Sequence, residues 1–143
     1  MGRAINTNGC RPSRVKLVGG WSYYILFCDD RVWFFVVQFL HTKGEASGQI
    51  KEYVMKVKQR FRKAPTFMRV DNGKELVNDE MKKFCAGEGI TIETTAPYSP
   101  FQNGVAEQFN WTLIELVRAM LISKGLPAFL WDEAIAHATY IQN

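Results

Sequence analysis

Two apolar runs dominate the chain: WSYYILFC (Trp21 to Cys28) and VWFFVVQFL (Val32 to Leu40), parted only by Asp29-Asp30-Arg31. Each is far shorter than the ~20 residues that a membrane-spanning helix needs. Their aromatic and β-branched content reads as strand, and the Gly19-Gly20 break opens the first of them. A three-residue polar turn makes the pair an antiparallel hairpin. Continuous apolar character predicts burial on both faces. No membrane role is expected, and the start MGRAINTNGC has no apolar signal core.

After the hairpin the hydrophobic period lengthens. Ile50, Val54, Val57 and Phe61 recur at helical spacing, which predicts a helix from about Glu45 to Lys63, ended by Pro65. Lys51, Lys58 and Arg62 then fall off that stripe. Thr66 to Val70 reads as a short strand running into an Asp71-Asn72-Gly73 turn. A helix follows over Asp79 to Ala86, with Gly87 and Gly89 at its end, then a strand over Thr91 to Thr95. The loop Ala96 to Gly104 leads to a long helix from about Val105 to Ser123, whose buried side is Phe109, Leu113, Leu116, Val117, Met120 and Leu121. Gly125 stops it, and Pro127 suits the first turn of a last helix with the stripe Leu130, Ala134, Ala138 and Ile141. Ala4 to Thr7 is a candidate for one more strand in front. The expected fold is a single α/β domain with a mixed sheet flanked by helices.

With 143 residues and 47% hydrophobic content, the chain can bury a real core, which excludes a disordered tail. Three scattered cysteines (Cys10, Cys28, Cys85) cannot all pair, so a reducing, nuclear or cytoplasmic location is expected. The net charge of +4 permits a polyanionic partner without demanding one. It is unevenly spread, for no Asp or Glu precedes Asp29.

Two acids stand out by position. Asp71 follows a strand end, where α/β sheets place ligands, although a turn former would look the same. Glu107 lies near the start of the long helix, where an acid can simply complement the helix dipole. Each sits in a longer string. VDNGKEL (Val70 to Leu76) and APYSPFQNGVAE (Ala96 to Glu107), with TLIELVRAML, LPAFLWDEA and the closing ATYIQN, resemble the integrase catalytic core of copia-type LTR retrotransposons. That family is related to retroviral integrases and other polynucleotidyl transferases of RNase H-like fold.

The resemblance implies a mixed five-stranded sheet, 3′-end processing and DNA strand transfer, and Mg²⁺ or Mn²⁺ held as a pair by three acids. Two cations ~3.5–4 Å apart can activate the attacking oxygen and stabilise the leaving one, and holding them takes several hard, anionic ligands. Asp71 and Glu107, with 35 residues between them, map onto the second and third acids. Asn72 and Gly73 match the turn that presents Asp71. Pro100, Gln102, Asn103 and Gly104 match a loop that meets DNA, although Gln102 and Gly104 could equally be ordinary loop residues. Lys51, Lys58 and Arg62 are further candidates for phosphate contacts, against a plain solvated helix face. The resemblance also implies DNA as partner, a homodimer, and residues 1–143 as a core cut from a larger Pol polyprotein. His41 and His137 lack metal-ligand spacing, and no His and Cys set exists for the zinc segment that precedes this core in the family. Asp29 and Asp30 are expected only to form the hairpin turn.

The first acid of the family is missing. It is expected on the opening strand, in a string like Thr-Asp-Val-Cys-Gly-Pro, and here that string is Thr7-Asn8-Gly9-Cys10-Arg11-Pro12. An amide keeps an oxygen for coordination but loses the charge. Catalytic impairment follows, with a non-catalytic domesticated module for nucleic-acid binding or dimerisation as the alternative, and a decayed fragment without a role as a third. Arg11, Gln108 and Trp111 also depart from the family pattern. Together with Asn8, each is reachable by one G·C to A·T transition. Glu107, Trp111 and Arg118 share one side of the predicted helix, so Trp111 is expected to be exposed, as an apolar liability or a base-stacking platform.

Overall fold

In the computed structural model, residues 4–12, 19–70, 76–94 and 100–143 are described. The elements are β1 (Ala4–Pro12), β2 (Tyr23–Asp29), β3 (Phe34–Leu40), α1 (Ala46–Phe61), β4 (Phe67–Val70), α2 (Asp79–Glu88), β5 (Thr91–Thr94), α3 (Pro100–Ser123) and α4 (Trp131–Gln142). They form a five-stranded sheet in the order β3-β2-β1-β4-β5. β1 pairs antiparallel with β2 and β2 with β3, whereas β1–β4 and β4–β5 are parallel. The mixed sheet and the predicted element order are both present, with the front strand longer than Ala4 to Thr7.

Period-two alternation along β2 divides the core in two. Ile25 and Phe27 join Ile5, Ile50, Val54, Met68 and Met81 under α1 and α2. Tyr24, Leu26 and Cys28 join Leu113, Val117, Ile135 and Ala138 under α3 and α4. So β2 is buried on both faces, as its sequence predicts.

β3 corrects the same expectation. It lies at the sheet edge, and Val32, Trp33 and Phe34 are 57%, 50% and 47% exposed. The turn takes more residues than its polar part. Trp33 N–H donates to the Asp29 carbonyl at 2.9 Å, with Trp33 at φ 54°, so the strand starts only at Phe34.

Three helical details also differ. α1 buries Ile50, Val54 and Val57 but leaves Phe61 half-exposed, because Arg62 turns left-handed (φ 54°) and the chain leaves the core there. α4 buries Ala134, Ile135, Ala138 and Thr139, whereas Ile141, on the same stripe as Ala134, falls in the last turn and is exposed. α3 begins at Pro100, not Val105. Proline lacks the N–H that a first helical position leaves unused, so it starts a helix readily. Gly104 is carried inside the helix at a cost of about 1 kcal/mol against alanine.

α2 matches its signals closely. Asn78 Oδ1 accepts from Met81 N–H at 2.8 Å, and Gly89 closes the helix at φ 70°. Replacing Asn78 by Ala removes that acceptor and is expected to lower the unfolding free energy by about 1 kcal/mol. A urea titration in which the midpoint stays put would show that the cap contributes nothing. Among the described residues, no helix is long and apolar enough to cross a membrane.

Candidate catalytic site on β1 beside the end of β4

The β1–β4 register runs to Thr7↔Val70, so Asn8 follows on β1 just where β4 ends. The carboxyl end of a parallel strand such as β4 is where α/β folds bind ligands, while β1 runs on past Asn8 to Pro12 beside β2. Asp71, Asn72 and Gly73 themselves lie outside the described residues. On its other side, Asn8 is in register with Leu26 and Arg11 with Tyr24. Three steps on β1 thus answer two on β2. A bulge of this kind kinks a strand locally and is common beside active sites.

α3 packs against β1 on the face that carries Tyr24 and Leu26. Glu107 lies two turns into this helix and is exposed. The expected first-turn position is corrected by the earlier helix start. The dipole reading weakens with it, because that effect fades beyond the first turn. Gln102, Asn103 and Gly104, expected in a loop, belong to the opening of α3, whereas positions 96–99 lie outside the described residues. Trp111 is 65% exposed on the same side of the helix as Glu107 and Arg118, as helical phase predicts.

The basic candidates stand elsewhere. Lys51 pairs with Glu80, and Lys58 Nζ lies 2.6 Å from Glu88 Oε2, so both link α1 to α2. The Lys51 ammonium and its hydrogen bond hold the exposed Glu80 carboxyl below its usual range. These are surface pairs of small net worth. Their layer covers the sheet face opposite to α3. Arg62 caps the end of α1. None of the three is brought together with Glu107.

Asp29 and Asp30 do more than turn the chain. Asp29 is buried and accepts from Arg31 N–H at 3.0 Å. Asp30 accepts from Ala4 N–H at 3.1 Å and faces Arg69, whose Nε binds Glu93 at 2.8 Å. This cluster ties β2, β1, β4 and β5 together at the edge away from Asn8. His41 stacks on Trp21, ring centroids 4.0 Å apart, and its Nδ1 lies 3.2 Å from the Gly20 carbonyl. Cys28 and Cys85 are free and buried, and burial with the nearby Asp29 and Asp30 charges pushes the Cys28 thiol up to about 12. Among the described residues, no group of three or more His, Cys, Asp or Glu could hold a metal ion.

Sequence reasoning missed one residue next to the site. Asn110 is 1% exposed and accepts a 2.9 Å hydrogen bond from the Tyr24 hydroxyl. Its position on the buried stripe with Leu113 and Val117 was a legible signal, since a polar residue at a core phase needs a partner.

No family model matches the chain. In sequence it is 34% identical over 137 residues to the retrovirus-related Pol polyprotein from transposon TNT 1-94 of Nicotiana tabacum. The match covers 94% of this chain and 10% of that protein, so the chain spans about a tenth of the length of the relative. In structure it superposes on a chain of the simian T-cell lymphotropic virus intasome solved with a PP2A regulatory subunit, at TM-score 0.67 and 18% identity, over 96% of this chain and 46% of that one. It superposes also on the catalytic core domain of BIV integrase, at TM-score 0.64 and 17% identity, over 95% of this chain and 80% of that one. Sequence and architecture converge: over nearly its whole length the chain is similar to a segment of a retrotransposon Pol polyprotein, and it has the RNase H-like fold of retroviral integrase core domains.

Proposed function

We propose that this chain is the DNA-processing core of a copia-type retrotransposon integrase, built for 3′-end processing and strand transfer and impaired by Asn8. Residues 1–143 are read as one domain of a larger Pol product, working on DNA in the nucleus or cytoplasm. The observation that supports the reading is that Asn8 follows the last β1–β4 pair, beside the end of β4, with α3 packed against β1. Asp71 and Glu107 are the proposed metal ligands, with Gln102, Asn103 and Gly104 at the DNA side of the site. Lys51, Lys58 and Arg62 would serve DNA only from the opposite layer, at the cost of their present surface pairs for the two lysines.

The donor set decides what metal it can take. Two carboxylates and one carboxamide offer hard oxygens enough for one Mg²⁺ or Mn²⁺. They do not fit a pair of dications, whose mutual repulsion needs more anionic charge between them. When bound, a divalent ion polarises a phosphate and lowers the pKa of an attacking water or hydroxyl.

The test is a strand-transfer assay on duplex oligonucleotides with Mg²⁺ or Mn²⁺, comparing the unaltered chain with Asn8→Asp. Product from Asn8→Asp alone supports the reading, and robust turnover by the unaltered chain refutes the impairment. DNA affinity that does not fall with salt in either form would refute the nucleic-acid reading.

A specific observation favours self-association alongside this activity. Val32, Phe34, Tyr53 and Phe61 line an open groove of about 390 Å³ between β3 and α1. Val32, Phe34 and Phe61 in it are about half exposed, and so is the neighbouring Trp33. Apolar residues clustered on a surface in this way mark interaction sites, and a second copy of the chain is the occupant proposed. Sedimentation velocity should show a dimer that Phe34→Glu converts to monomer. A unaltered chain that stays monomeric at every concentration overturns this.

A further inference from the structure

Tyr24 is 3% exposed, near the start of β2 on the face that α3 and α4 cover. Its ring packs on Trp131 with centroids 5.3 Å apart, and its hydroxyl donates to Asn110 Oδ1 at 2.9 Å. The bond is buried and joins residues 86 positions apart in the chain. With Oδ1 so engaged, Asn110 Nδ2 is buried without a hydrogen-bond partner. A buried amide donor left unused costs desolvation and returns nothing. For stability alone, apolar side chains at both positions 24 and 110 would serve as well.

Placement gives the pair a second significance. Tyr24 is in register with Arg11 and Leu26 with Asn8, so the bond meets the sheet at the β1 bulge. Asn110 follows Glu107 by three residues, about 4.5 Å along the helix axis. Apolar packing is non-directional and lets a helix slide or roll on a sheet. A hydrogen bond at this point fixes both advance and rotation of the turn that carries Glu107.

We propose that Tyr24 is a positioning residue for the candidate site: through Asn110 it sets where α3 holds Glu107 relative to β1. The inference rests on the reading of Glu107 as a cation ligand, and the experiment separates the two. The variant is Tyr24→Phe, which keeps the ring and its packing on Trp131 while removing the donor. Amide hydrogen exchange is compared between the unaltered chain and Tyr24→Phe. Mn²⁺ affinity is compared between Asn8→Asp and Asn8→Asp with Tyr24→Phe. Leu121→Ala, on the same buried side of α3 but far from Glu107, supplies a destabilised comparison.

Loss of one such bond is expected to speed exchange about tenfold at residues 106–111 and to leave 115–121 unchanged. Mn²⁺ affinity is expected to fall about tenfold with Tyr24→Phe and to hold with Leu121→Ala. Equal loss in both variants would mean general loosening and overturn the proposal, and so would no loss in Tyr24→Phe. If Asn8→Asp binds no Mn²⁺ at all, the functional reading fails. The exchange data then decide alone, and unaltered exchange at 106–111 overturns the positioning role.

Discussion

Asn8→Asp is expected to tighten Mn²⁺ binding by about a hundredfold or more and to raise strand transfer from background to a measurable rate. The argument is electrostatic. At an effective dielectric of about 20, one unit charge pair ~4 Å apart is worth ~4 kcal/mol. A dication doubles the nominal value and nearby waters screen part of it. Even ~2.7 kcal/mol retained corresponds to about a hundredfold in affinity. Position 8 has the right placement for this effect, as the next residue after Thr7↔Val70 in the parallel register and beside the bulge. Titration calorimetry with Mn²⁺ measures it directly. Equal affinities for the two forms would show that position 8 contributes no ligand charge and would remove the ground for calling the chain impaired.

Phe27→Ala is expected to cost ~3–5 kcal/mol of unfolding free energy. Phe27 is 1% exposed at the centre of β2, with its ring stacked on Tyr53 of α1 at 4.2 Å and 13°. Removing it opens a hole between sheet and helix in the larger of the two cores. Domains of this size hold only ~5–15 kcal/mol in total, so a substantial part of the population could be unfolded at 37 °C. Phe27→Leu, which keeps most of the volume, is the companion variant, with a smaller loss expected. Guanidinium titrations of both should resolve the order. A loss below ~1 kcal/mol for the alanine form would mean that the α1 layer collapses onto the sheet without penalty.

Much of the architecture was legible because the hydrophobic period changes cleanly from segment to segment. β2 reads as a strand buried on both faces and is one, and Gly89 ends α2 as cap chemistry requires. What failed depends on long-range geometry. Nothing local in VWFFVVQFL distinguishes an edge strand from a central one, so the exposure of Val32 to Phe34 required the sheet order. Ile141 keeps the helical phase of the buried Ala134, and only its place in the last turn of α4 leaves it exposed. Lys51 and Lys58 looked like unpaired cations because their partners, Glu80 and Glu88, come from another helix. Of the candidate site, the resemblance supplied the residues and the sheet register supplied the place of Asn8 beside the end of β4. The Tyr24–Asn110 bond spans most of the chain, and no spacing argument reaches that far.

The sheet leaves one flank open at β3, and the last residue of the chain shown closes part of it. Asn143 Oδ1 accepts from Phe35 N–H at 2.7 Å while its Nδ2 donates to the Phe35 carbonyl at 2.8 Å. A single carboxamide thereby imitates one rung of a further strand. Bare flanks of this kind are where foreign polypeptide adds on and where fibrous growth starts. With that rung taken, an intruding strand must seek other footholds along β3.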